Sequence, residues 1–111
     1  MTENELMDKI NLLEYHQKLL LKLLNNPKLE LYKLIIENGI TEQEAGQFFS
    51  LCEKMNLKLE EQKAEGYVNF HPLFHELSLS LPSTLKIKDV IHACLKQQIC
   101  LSLFQELEKY L

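Results

Sequence analysis

The stretch LMDKINLLEYHQKLLLKLL, residues 6–24, decides the fold class. Within it Leu6, Ile10, Leu13, Gln17, Leu20 and Leu24 are spaced 4, 3, 4, 3 and 4 apart. That alternation is the a/d seam of a coiled coil, sustained over nearly three heptads. Leu12, Leu19, Leu21 and Leu23 fall outside the seam, so the polar strip narrows to Asp8, Asn11, Lys18, Lys22 and Asn25. A helix this apolar around its circumference has to be covered on more than one side. Two polar groups interrupt the leucines, His16 and Gln17. Gln17 occupies an a position, where a polar side chain costs stability but can fix register and oligomer number. Its two readings are a place in an interface between copies and a place at the edge of a monomeric core.

The ends of this helix are marked locally. Thr2 and Glu5 fit a capping box, in which each side chain satisfies a backbone N–H of the first turn. Asn26-Pro27 breaks the helix, which therefore spans residues 3–25 and about 35 Å at 1.5 Å per residue. Pro27 near a first turn starts a second helix over residues 27–38, and Gly39 supplies the left-handed stop. Thr41 and Glu44 form a second capping box, and Ile40 with Ala45 fits a hydrophobic staple. Behind them Ala45, Phe48, Cys52, Met55 and Leu59 make one stripe at spacings 3, 4, 3 and 4. Glu60, Glu61 and Glu65 crowd the far end of this third helix, which is expected to be exposed and to stop at Gly66.

Beyond Gly66 the pattern is shorter-ranged. Pro72 opens a fourth helix with Leu73, Phe74 and Leu77 inward. The alternation Leu77-Ser78-Leu79-Ser80-Leu81 carries a strand period, but a lone short strand has no partner, so a helix fraying before Pro82 is expected. A fifth helix over residues 88–97 turns Val90, Ile91, Cys94 and Leu95 inward, and a sixth over residues 101–110 carries Leu103, Phe104 and Leu107. The expected fold is all-α: a compact multi-helix bundle of five to six helices with a long, coiled-coil-like first helix, residues 1–111 forming a single domain.

Composition bounds the function. Of 111 residues, 46% are hydrophobic and 25% charged, which is enough apolar matter to offset chain entropy. Three glycines and three prolines are too few for the many turns of a β-sandwich. The formal net charge is −4 and the pI about 5.5. Nucleic-acid binding rests on a basic face that displaces counterions from phosphates. Here the densest cationic groupings are pairs such as Lys18 with Lys22 and Lys86 with Lys88, so a DNA-binding regulator is disfavoured. The acidic start is unlike a signal peptide and no apolar run reaches the ~20 residues needed to cross a bilayer. Three unpaired cysteines then read as reduced thiols in the cytoplasm.

No catalytic constellation emerges. His71 and His75 stand four apart beside Glu76, a spacing that could offer one coordination edge to a metal. His71 precedes Pro72, however, and no third ligand is near in sequence. These two are the weak metal candidates, and the competing functional class is a metal-binding protein or enzyme built on them. Cys52 and Cys94 lie on apolar stripes, where a thiol packs as a small hydrophobe. Cys94 and His92, two apart on a helix, do not face each other; Cys94 with His75 is the other conceivable nucleophilic pair. A glycine-rich phosphate loop and a nucleobase-deaminase motif are absent, and no cofactor is implied.

Several segments taken together resemble a small family of uncharacterised proteins from Gram-positive bacteria, the YhaI-like family. They are Leu13-Glu14-Tyr15-His16, the run from Tyr32 to Glu37 leading to Thr41-Glu42-Gln43-Glu44, Leu51-Cys52-Glu53, the run from Glu61 to Val68, and Ala93-Cys94-Leu95-Lys96-Gln97-Gln98. Gln98 departs from the pattern, which has glycine there. The resemblance implies an all-helical homo-oligomer, a trimer rather than a dimer, with no assigned activity. By itself, leucine at the d positions with Ile10 at a suits a dimer. The sequence thus reads as a non-enzymatic module, self-associating through Leu6, Ile10, Leu13, Gln17, Leu20 and Leu24. Its work would be protein–protein interaction, with no nucleic-acid or membrane partner.

Overall fold

The computed structural model describes residues 2–111. They form six α-helices: α1 (Glu3–Asn25), α2 (Glu30–Glu37), α3 (Glu42–Ala64), α4 (His71–Ser80), α5 (Ile87–Gln97) and α6 (Leu101–Leu107), closed by a 3-10 turn at Glu108–Tyr110. No strand occurs among the described residues. The all-helical expectation therefore holds, with the Leu77–Leu81 alternation helical as far as Ser80 and extended at Leu81 before Pro82.

Local chemistry sets most of the boundaries. The Thr2 hydroxyl accepts from the Glu5 N–H at 3.1 Å. Thr41 and Glu44 form the full reciprocal box, each bond 3.1 Å. Three helices end in the same closure, in which successive N–H groups fold back onto the last carbonyls. After α2, Ile40 N–H donates to Ile35 and Gly39 N–H to Ile36; after α3, Tyr67 donates to Gln62 and Gly66 to Lys63; after α5, Ile99 donates to Cys94 and Gln98 to Leu95. Gly39 and Gly66 sit at φ +63° and +90°. The third closure puts Gln98 at φ +62°, and Cys100 follows at φ +43°. The final turn is therefore as tight as a glycine would make it, but two side-chain-bearing residues pay roughly 1–2 kcal/mol each for the left-handed conformation.

α2 begins at Glu30, three residues later than expected. Asn26, not Pro27, organises the junction: its Oδ1 accepts from Lys28 N–H at 3.1 Å, holding residues 26–28 in a turn outside the helix. Leu29 at the cap position gives no side-chain bond. The missing acceptor comes from α5, where Gln97 Oε1 accepts from Leu31 N–H at 2.9 Å and Tyr32 N–H at 3.3 Å. His71 also differs from expectation, lying inside α4 as its first residue, with its N–H donating to Asn69 Oδ1 at 3.1 Å.

α5 is the central element, packed against α2 on one side and α6 on the other, while α6 also meets α3 and α4. Val90, Ile91 and Cys94 of α5 and Leu103, Phe104 and Leu107 of α6 are wholly buried. Met55, Leu59, Leu73 and Leu77 complete this core from α3 and α4, each contributing on the order of 2 kcal/mol through burial. Tyr110 seals the far end, its Oη accepting from Phe70 N–H at 2.7 Å. The surface ion pairs, such as Lys96–Glu30 at 3.3 Å, add little. α1 packs chiefly on α2 and extends past it, so the molecule measures 52 × 31 × 21 Å.

Candidate functional site

α1 is docked by one face and bare on another. Leu12, Tyr15, His16, Leu19 and Leu23 are buried or half-buried against the body. His16 Nε2–H donates to the Ile40 carbonyl at 2.8 Å, tying the helix to the α2–α3 turn. Lys22 Nζ lies over the Tyr32 ring, 5.5 Å from its centre, a cation–π contact on the same side. Burial pushes the Tyr15 phenol above its usual range, with Glu42 adding to the shift.

At 100° per residue the seam lies about 120° around the helix from that docked face. All six of its members, Leu6, Ile10, Leu13, Gln17, Leu20 and Leu24, are exposed, Leu13 by 67% and Leu24 by 80%. Gln17 is thus removed from the edge of the chain's own core. Met7 and Leu21, also exposed, follow the d residues Leu6 and Leu20 and widen the stripe to one side. Leu21 is among the leucines counted outside the seam, whereas Met7, at the e position one heptad before Glu14, is not singled out by an a/d reading. The bare stripe amounts to on the order of 400 Å² of apolar side chain, the scale at which surface patches become interaction sites. Its C-terminal half continues into a groove of about 570 Å³ between α1 and α2, lined by Leu20, Leu23, Pro27, Glu30, Lys33, Ile36 and Glu37. Residues 3–11 are all exposed, with Asp8 and Asn11 facing Thr41, Glu42 and Gln43 across an open pocket.

The other candidates are dispersed. His71 and His75 are both exposed. The His71 ring stands edge-on to Tyr110, centres 5.6 Å apart, and Glu76 pairs with Lys58 at 3.8 Å. Among the described residues no three or more His, Cys, Asp or Glu are gathered to hold a metal ion. Cys52 and Cys94 are buried and Cys100 half-buried. Burial pushes the Cys52 thiol up to about 12 and raises those of Cys94 and Cys100 as well, which leaves them poor nucleophiles. His75 and His92 are on the surface while Cys94 is in the core, so neither Cys–His pair is assembled. Glu60, Glu61 and Glu65 form a solvated helix end. No helix among the described residues is long and apolar enough to cross a membrane.

A family model described as "Protein of unknown function (DUF1878)" matches residues 3–111. No solved structure matches the chain.

Proposed function

We propose that this chain, which belongs to the DUF1878 family of proteins of unknown function, is a non-enzymatic helical protein that self-associates through α1 and acts by protein–protein interaction. The observation that carries the reading is the continuous stripe Leu6–Ile10–Leu13–Leu20–Leu24, exposed on a helix already docked by a different face. Isolated surface leucines, such as Leu57 or Leu79, need no explanation; a row of them on one helix does. Covering half the stripe in each of two copies contributes on the order of 10 kcal/mol. That meets the ~4–15 kcal/mol cost of association without a wide margin. A trimer, in which each α1 meets α1 of two other copies, rests on the resemblance to the YhaI-like proteins. The resemblance of the ordered stretches quoted above to the YhaI-like proteins of Gram-positive bacteria supports a reading as a helical homo-oligomer that acts as an accessory or regulatory factor in the cytoplasm.

The test is Leu13→Asp combined with Leu20→Asp, read by light scattering and circular dichroism. Both side chains are exposed in the single chain, so the expected product is a folded monomer. A variant that keeps the wild-type assembled mass overturns the assignment.

A further inference from the structure

We propose that α1 associates parallel and in register with α1 of a second copy of this chain, the direction being set by Lys9, Glu14 and Gln17. This rests on the self-association proposed above and specifies how the partner lies. With Leu6, Leu13 and Leu20 at d and Ile10, Gln17 and Leu24 at a, Lys9 falls at g and Glu14 at e. In a parallel coil a g residue lies beside the neighbour's e residue five positions on. Lys9 and Glu14 are five apart and opposite in charge, and symmetry forms the contact once from each copy. Both are exposed. Neither takes part in an ion pair among the described residues, although Glu5 and Lys18 stand one helical turn away.

Gln17 gives an independent argument. In parallel register it meets Gln17 of the second copy, and each amide can both donate and accept across the seam. Reversing the helix aligns a with d, so that Ile10 meets the second copy's Leu20 and Gln17 meets its Leu13. A covered amide facing leucine has lost water without gaining a partner, which is unfavourable. The reversed arrangement also sets e against e, bringing Glu14 up to its own symmetry mate. Glu3, at the outermost a position, brings like charges together in the parallel form. It lies in solvent at the helix end, where such repulsion is screened. The bare first turns leave room for the two helices to meet ahead of their bodies.

Glu3→Cys tests the direction. In the parallel form the two residue-3 thiols are neighbours; in the reversed form they lie ~35 Å apart. Dissolved oxygen, by accepting two electrons and two protons, then joins them as a disulfide, located by mass spectrometry of the peptides. Charge exchange gives a second readout: Lys9→Glu alone or Glu14→Lys alone should weaken association by on the order of fivefold, and the double exchange should restore it. Residue-3 linkage and restoration are the expected results. An oligomer by sedimentation that neither links through residue 3 nor responds to the exchanges overturns the parallel arrangement and leaves self-association standing. A wild-type chain that stays monomeric at every concentration overturns both.

Discussion

Gln97→Met removes the acceptor that starts α2 while keeping the side chain's length and apolar stem. The two N–H groups it serves, those of Leu31 and Tyr32 at 2.9 and 3.3 Å, belong to a first turn whose own cap residue, Leu29, offers nothing. Facing two donors, the Gln97 amide must present its oxygen. Loss of an N-cap costs about 1 kcal/mol, and a half-buried N–H without a partner adds a similar amount. The sum, about 2 kcal/mol, is a large share of the ~5–15 kcal/mol that holds a domain together. It should propagate, because Leu31 and Ile35 of α2 are core residues and α1 is docked on α2. Urea unfolding followed by circular dichroism at fixed protein concentration should move to a lower midpoint with an unchanged slope, and Tm should fall by roughly 10 °C. Gln97→Glu keeps the oxygen and places a negative charge at a helix N-terminus, so it should stay near wild type. If Gln97→Met unfolds within about 0.5 kcal/mol of wild type, the cross-chain cap contributes nothing and the reasoning fails.

Gln98→Gly relieves a left-handed residue at φ +62°, worth about 1–2 kcal/mol, against roughly 0.5–1 kcal/mol of extra chain entropy in the unfolded state. A net gain near 0.5–1 kcal/mol should appear as a raised Tm, and a lowered Tm would count against strain at this turn. Alkaline pH provides another test. The Cys52 thiol is raised from 9.0 to about 12 and Cys94 is raised too, so the unfolded chain sheds these protons first. Below pH 9 both states are protonated and stability is intact; above it, stability should fall by up to ~1.4 kcal/mol per pH unit for each buried thiol. Cys52→Ala should flatten that slope in alkaline unfolding curves, and an unchanged slope would show that Cys52 is not the titrating group.

The features legible in the sequence are those whose causes lie within a few residues. Thr2, Thr41 with Glu44, Gly39 and Gly66 mark helix ends because a cap or a left-handed closure is completed over three to six positions. The core stripe from Ala45 to Leu59 is legible because its period matches the helix. The start of α2 was not, since its acceptor lies 66 residues away on α5. The seal of Phe70 by Tyr110 and the tie of His16 to Ile40 are hidden for the same reason. In α1 the surplus of leucines was plain, but the choice of docked side was not. Leu12, Leu19 and Leu23 differ from Leu13, Leu20 and Leu24 only by one step along the chain, and the packing of α2 decides between them. At Gln98 no glycine marks the last turn in the sequence, yet the backbone closes there in the left-handed conformation that a glycine adopts.

The first nine residues of α1 are all exposed, with Asp8 and Asn11 bordering an open pocket against Thr41, Glu42 and Gln43. A helical piece that short is marginal in water, so its order is lent by the docked turns that follow. Amide protons should therefore exchange along a gradient, fastest next to Thr2 and slowest near His16, in place of one all-or-none step. A covering copy would convert that gradient into a single cooperative unit. By mass action, the amount of chain in solution would then regulate how much of its leading heptad is folded at all.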